Sequence, residues 1–351
     1  MEDNERRRDK AGKMAFRRLT IHLLTVALAA TLTCRRAPAP AEEALPDWIR
    51  VYFSPQDRIP DPLISLVDSA RESVWAAFYS LGLPEVASAL VRAADRGVDV
   101  RVIMDIAASS PLNSQSHRLA EAGLLQTNFS PNDLMHNKFM VIDGFITWTG
   151  SYNPGLRGTY RDDNNVVVIS SLRLAERYRQ RFLKYWSGKF GRASPPSPGP
   201  ATYLIGGVMV ENYFSPGDAC LERIIKQVEA AQESVHFATF VFTHPSLAEA
   251  LVRKHLEGVR VSGVMEEGQD GPWSCYRLFQ AAGMDVAWDR NLDYLHHKFF
   301  VIDGRTVITG SFNPSRAAET SNDENIVIIH HPAVARKFLE EFERLRRADW
   351  N

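Results

Sequence analysis

HNKFMVIDG at 136–144 returns as HHKFFVIDG at 296–304, and each copy is followed by a second shared element, GSYNP at 150–154 and GSFNP at 310–314. The offset is 160 residues for both. Working outward, other pairs fall into step. VYFSP at 51–55 matches NYFSP at 212–216, SARESV at 69–74 matches AAQESV at 230–235, and ALVRAADRGVDVRV at 89–102 matches ALVRKHLEGVRVSG at 250–263, all offset by 161. A single-residue deletion between the two groups accounts for the change. The repeating unit is therefore a whole domain rather than a solenoid turn.

Each copy alternates strand and helix patterns. In the first, Ser73–Tyr79 reads as an apolar strand, Pro84 opens a helix that ends at Gly97, and Val98–Met104 reads as the next strand. Ser116–Ala122 reads as a helix capped by Gly123, Phe139–Ile142 and Val166–Ile169 as short strands, and Leu172–Trp186 as an amphipathic helix. That order predicts an α/β fold, a mixed sheet covered on both faces. The boundaries expected are domain 1 over 48–192, a linker over 193–202 and domain 2 over 203–351. The linker contains SPPSPGP at 194–200, whose prolines continue neither a helix nor a central strand.

The first residues have a different character. Arg17 and Arg18 precede an apolar run from Leu19 to Cys34, the pattern of an export signal over 1–34 and too short for a comfortable membrane span. Met14 is the more natural start. TLTC at 31–34 resembles a bacterial lipoprotein box, so Cys34 is a candidate for lipid attachment, against simple cleavage near Ala29–Ala30. Residues 35–47 read as a Pro/Ala-rich tether. The expectation is an exported, envelope-located protein, tethered to a membrane through this segment or the lipidated Cys34. Cys220 and Cys275 are expected to be unpaired, because nothing in their spacing demands a bridge.

Net charge is −1, and removing residues 1–33, with seven Lys/Arg and four Asp/Glu, takes it to −4. That argues against a surface that is basic throughout and leaves room only for a local basic groove.

The doubled motif carries chemistry. Cleaving a phosphodiester needs a nucleophile, neutralisation of the non-bridging oxygens and a proton for the leaving oxygen. Histidine can do either end of that work near neutral pH, lysine provides a point charge, and serine hydroxyl and asparagine amide provide neutral donors. The first copy offers His136, Lys138, Ser151 and Asn153, the second His296, Lys298, Ser311 and Asn313. In extended backbone a residue and its second neighbour share a face, which pairs His136 with Lys138 and His296 with Lys298. One such pair is half a site. A pseudo-twofold would set two His and two Lys around one phosphate. Asp143 and Asp303 each precede Gly between strands and read as structural turn residues. His297 faces the opposite side of its strand and is given no role. Trp148, Tyr152, Phe312, Trp273 and Trp288 read first as packing residues and only second as a rim or stacking surface.

At HNKFMVID…GSYNP and HHKFFVID…GSFNP the chain resembles the phospholipase D superfamily, whose signature is HxKxxxxD with a trailing GSxN. The resemblance spans roughly residues 50–345. It implies two tandem α/β/α sandwich domains with one site between them, and reaction through a phosphohistidine without a metal or other cofactor. The implied roles are His136 as nucleophile and His296 as general acid, an order that could be reversed, with Lys138, Lys298, Ser151, Asn153, Ser311 and Asn313 on the phosphate. The stretch 310–329 resembles small bacterial endonucleases of the superfamily, in which the Glu of an EN pair orients a histidine. Glu324 matches that Glu, whereas the first repeat has Asn164, with Asp162 or Asp163 as alternative substitutes. The histidine that meets Glu324 should titrate higher. A nuclease-like substrate is the favoured expectation, from the 310–329 stretch and the absence of large insertions, and phospholipid head groups are the alternative, from the membrane proximity that the N-terminal segment implies. A silent binding module of the same fold has little support, because both motifs are intact. A monomer is expected.

Overall fold

The computed structural model describes residues 44–110, 112–128, 133–193 and 195–347. The expected export signal over 1–34, with Cys34, and most of the expected tether lie outside the described residues, among which no helix is long and apolar enough to cross a membrane.

The first repeat builds strands β1 (Ile49–Ser54), β2 (Ser73–Phe78), β3 (Asp99–Met104), β4 (Leu125–Thr127), β5 (Lys138–Ile142), β6 (Ile146–Gly150) and β7 (Asn164–Ser170). Its helices are α1 (Pro60–Ser69), α2 (Pro84–Asp95), α3 (Ile106–Ser109), α4 (Ser116–Glu121), α5 (Leu156–Tyr160) and α6 (Leu172–Trp186). The second repeat builds β8 (Thr202–Ile205), β9 (Val208–Ser215), β10 (Ser234–Thr239), β11 (Arg260–Met265), β12 (Asp285–Trp288), β13 (Lys298–Ile302), β14 (Thr306–Gly310) and β15 (Glu324–His330). Its helices are α7 (Cys220–Glu229), α8 (Pro245–Leu256), α9 (Tyr276–Ala281), α10 (Arg316–Thr320) and α11 (Pro332–Arg347).

The two sheets have one topology. The order β1-β7-β6-β5-β2-β3-β4 reappears as β9-β15-β14-β13-β10-β11-β12, with β8 added beyond β9. β2–β3–β4 pair in parallel and the remaining neighbours antiparallel, so each sheet is mixed, as its patterns predict.

Strand alternation divides the core into three. On β5, Phe139 and Val141 face the space between the sheets, where α6 and α11 also pack, while Met140 and Ile142 face the outer helices of their own repeat. On β13, Phe299 and Val301 face inward and Phe300 and Ile302 outward. A period of two puts successive side chains on opposite faces. The central core therefore belongs to both repeats at once. Two hydrogen bonds bridge it reciprocally: Asn325 Oδ1 accepts from Thr149 Oγ1 at 2.8 Å, and Asn165 Nδ2 donates to Thr309 Oγ1 at 2.6 Å. Each residue is 160 positions from its counterpart, so the bonds mark the pseudo-twofold.

Asp143 and Asp303 occupy the β5–β6 and β13–β14 turns with φ of 49° and 51°. The Asp143 carboxylate accepts the backbone N–H groups of Arg71, Glu72 and Ser73, and Asp303 those of Gln232, Glu233 and Ser234. They tie a turn to the start of the neighbouring strand. Trp148, Tyr152 and Phe312 are buried, Trp288 stacks on Tyr276, and Trp273 is exposed. Cys220 and Cys275 are buried free thiols.

Candidate active site

Each HxK motif enters its strand from a short segment pinned to the other repeat. The His136 N–H donates to Asp323 O at 3.0 Å, and Asp323 N–H donates to Leu134 O at 2.8 Å. The mirror pair is His296 N–H to Asp163 O at 2.9 Å and Asp163 N–H to Tyr294 O at 2.8 Å. These parallel bridges join the approach to β5 with the approach to β15, and the approach to β13 with that to β7. The residue after each aspartate, Glu324 or Asn164, thereby lands on the histidine of the opposite repeat.

His136 Nδ1 lies 2.8 and 2.9 Å from the two carboxylate oxygens of Glu324, which is fully buried. An ionised carboxylate only accepts, so Nδ1 carries the proton and Nε2 is left with its lone pair. His296 Nδ1 lies 2.8 Å from Asn164 Oδ1. The Asn164 amide nitrogen donates to Gly158 O and Asp162 O, which turns its oxygen toward the imidazole and the Ser151 hydroxyl. Asn164 itself thus occupies the position for which Asp162 and Asp163 were the alternatives.

The lysines bend back. Lys138 Nζ donates to His136 O at 2.5 Å and Lys298 Nζ to His296 O at 2.7 Å. Tyr79 and Phe240 are aromatic counterparts: their ring centres lie 5.1 Å from His136 and 5.0 Å from His296, and each also sits beside the lysine of its repeat. The motif search missed this pair, although both residues directly follow matched strands at the offset of 161.

Electrostatics set the halves apart. Burial pushes His136 below its ordinary value and both lysines add to that, but Glu324 opposes them. Burial, Lys298, Lys138, His136 and His297 together hold His296 well below its ordinary value, with no carboxylate on its ring. The upward push that a carboxylate gives an imidazole falls on His136, the histidine that meets Glu324. Burial brings Lys138 down to about 7, and burial together with Lys138 takes Lys298 well below its ordinary range. Two imidazoles and two ammonium groups close enough to depress one another form a site that gains by receiving an anion.

The serines stand one layer back. Ser151 and Ser311 are fully buried, and their hydroxyls accept the backbone N–H groups of Asn165 and Asn325 at 3.0 Å. They brace the last strands, which differs from the phosphate contact expected of them. The Ser151 hydroxyl gives its own proton to Asn164 Oδ1 at 3.1 Å, directly behind the His296 imidazole. Asn313 Oδ1 accepts from Val241 N–H at 3.3 Å, whereas the buried Asn153 Oδ1 has no hydrogen-bond partner. Asn153, Asn164 and His296 line a cavity of about 940 Å³ together with Arg157, Tyr160 and Tyr294.

Against known families, residues 63–186 and 224–346 each match the model described as "Cardiolipin synthase, PLD-like domain". A mitochondrial cardiolipin hydrolase of Xenopus laevis is 38% identical over 129 residues, 36% of this chain and 61% of that protein. A phospholipase D of Rickettsia felis is 30% identical over 134 residues, 38% of this chain and 67% of that protein. The chain thus spans about three fifths to two thirds of the length of these relatives. Among solved structures, the phosphatidylserine synthase of Haemophilus influenzae superposes with a TM-score of 0.65 at 15% identity, covering 87% of each chain, a likeness of fold. Two matched domains, covering more than half of its length, make this chain a member of the phospholipase D superfamily.

Proposed function

We propose that the protein is a phosphodiesterase that cleaves phospholipids through a phosphohistidine on His136, in one site built by both repeats. The observation that carries this reading is the contact of His136 with Glu324 across the repeats, set against the contact of His296 with Asn164. A carboxylate on Nδ1 orients the ring and stabilises the positive imidazolium that forms when Nε2 bonds to phosphorus. His136 Nε2 attacks, the bond from phosphorus to the leaving alcohol breaks, and His296, in the imidazolium form that the bound phosphate anion favours, delivers its Nε2 proton to the leaving oxygen. Neutral His296 then takes a proton from water. The resulting hydroxide displaces His136 and leaves a phosphate monoester. Lys138, Lys298, Asn153 and Asn313 hold the non-bridging oxygens, and an arriving phosphate favours the charged lysines. The scheme calls on no metal or cofactor, and one chain carries every group it needs.

The rim supports a lipid substrate. Leu156, Tyr160 and Tyr294 are exposed and line the His296 cavity, and Ile106 and Leu112 are exposed next to further lining residues. Arg157 and Arg161 of the cavity are paired with Asp162 and Asp293, which lessens their pull on a polyanion. The relatives named cardiolipin hydrolase and phospholipase D point the same way. So does the export segment, which would place the enzyme at a membrane.

A nucleic acid is the second reading. Arg192 and Arg316 share a cleft with Thr320 and Ser321 beside α10, the counterpart of α5. The test presents the full chain, in EDTA, with vesicles of phosphatidylglycerol or cardiolipin, plasmid DNA and RNA. Lipid turnover that disappears in both His136→Asn and His296→Asn is expected. Cleavage of DNA or RNA without lipid turnover would transfer the assignment to the second reading, and inertness toward all of them would end both.

A further inference from the structure

His297, which the motif leaves without a role, is fully buried, and its neighbours form a chain of charge. His297 Nε2 lies 2.8 Å from Glu341 Oε1, and Nδ1 lies 3.1 Å from Asn165 Oδ1. Arg344 donates to both Glu341 oxygens, at 2.7 and 2.8 Å, and makes a short contact with Asp163. Asp163 also accepts from Asn291 Nδ2 at 2.8 Å. With its amide in the orientation that satisfies both its atoms, Gln56 accepts from Arg344 Nε and Nη1. Asp163, His297 and Glu341 are grouped closely enough to hold a metal ion, but the Arg344 guanidinium already touches both carboxylates.

The position of this network is telling. Asp163 and Asn165 flank Asn164 at the start of β7, and His297 follows His296 just before β13 begins at Lys298. The network therefore grips both sides of the hydrogen bond between Asn164 and His296. The first repeat has a frame of neutral groups instead: Asn137 accepts from Asn325 Nδ2 at 2.9 Å and donates to Tyr185 Oη at 3.0 Å, and Asp323 accepts from the Gly191 N–H at 2.8 Å. At the matching positions, 160 residues earlier, Asn137, Arg181 and Lys184 replace His297, Glu341 and Arg344. Lys184 donates instead to Pro195 O and Pro196 O, so among the described residues no cation of the helix bridges to Asp323 as Arg344 does to Asp163. The contrast follows from bond strength. Glu324 holds His136 with a charge-assisted hydrogen bond, about twice as strong as a neutral one. Asn164 offers His296 only a neutral amide, so the ring must be kept in place by what surrounds it.

We propose that the buried network Asp163–Arg344–Glu341–His297 is a positioning device that holds His296 in line as the acid for the leaving alcohol. It rests on the reading of His296 given above. Burial would raise the Glu341 carboxyl, but Arg344 and His297 hold it down at about 2, so the network keeps its carboxylate charged. His297 is also among the neighbours that push His296 toward greater acidity, after burial, Lys298, Lys138 and His136.

The test is first-turnover release of the leaving group from two probes, followed in the full chain. Bis(p-nitrophenyl) phosphate loses a p-nitrophenolate that needs no proton. Diphenyl phosphate loses a phenolate that leaves far less readily without one. Glu341→Gln should slow diphenyl phosphate by at least about tenfold while leaving bis(p-nitrophenyl) phosphate within about threefold, because only the acid's share is lost. If Glu341→Gln does not fold once Arg344 has lost the Glu341 carboxylate, the double replacement Glu341→Met with Arg344→Met removes both charges and is read in the same way. Equal slowing of both probes, or of neither, overturns the positioning role. His296→Asn is the control. If it too slows both probes equally, the assignment of His296 as acid has failed, which is a separate result.

Discussion

Glu324, from the second repeat, lies 2.8 Å from Nδ1 of His136 in the first, and Asn164 holds the mirror position on His296 at the same distance. One chain thus carries two symmetric frames with unlike groups at one matched pair of positions. The consequences can be measured separately.

Glu324→Gln should lower kcat by about a hundredfold or more while moving KM little, since the carboxylate acts on the charged imidazolium rather than on bound substrate. Steady-state kinetics on bis(p-nitrophenyl) phosphate would show it. A change confined to KM would mean that Glu324 serves binding instead.

Asn164→Asp should displace the alkaline limb of the pH–rate profile upward. His296 now sits well below its ordinary value, mainly through burial and the two lysines. A carboxylate on Nδ1 favours its protonated form. The acid is competent below its pKa and lost above it, so raising that pKa extends activity toward higher pH. An unmoved limb would assign it to another group.

Asp323 makes stability pH-dependent. Burial raises its carboxyl from 3.8 to about 8, against a hydrogen bond from the Gly191 N–H. The folded chain keeps this proton longer than the unfolded chain. Its contribution is therefore fully present below pH 3.8 and is lost as pH rises toward 8, by up to about 1.4 kcal/mol per unit. The stability of Asp323→Asn relative to the parent should grow over that interval and level off above it. Denaturant midpoints at several pH values test this, and parallel curves would contradict it.

Asp143→Ala and Asp303→Ala should each cost about 1–2 kcal/mol of stability through the lost backbone hydrogen bonds. Activity of the surviving fold should stay within a few-fold of the parent. A large loss of kcat at unchanged stability would give these residues a chemical part.

Replacing exposed Leu156 and Tyr160 together by serine should weaken turnover of phospholipid vesicles and spare bis(p-nitrophenyl) phosphate, because the rim meets the lipid surface and not the reacting phosphate. Rates on vesicles and on the soluble probe, compared in one preparation, decide it. Equal rates on vesicles would remove the rim from the argument.

Much of this was legible in residue order. The offset of 160 announced two copies of one domain, strand and helix periods placed seven elements of the first repeat close to their true bounds, and Leu172–Trp186 coincides with α6. Those signals are local: period, proline, glycine and repetition act within a few residues of where they are read. The short elements β4, β6, α3 and α5 were not separable, because three to five residues carry too little period to stand out. Sequence alone also identified Glu324 and Asn164 as unequal partners. Which histidine each would meet was decided only by the tertiary structure, because the contacts between residues 136 and 324 and between 164 and 296 come from the two repeats packing across a shared core. The same packing carried Ser151 and Ser311 behind the site and gathered Asp163, His297, Glu341 and Arg344 from distant segments. A sequence states what each residue can offer, but a contact between repeats exists only once their common core has formed.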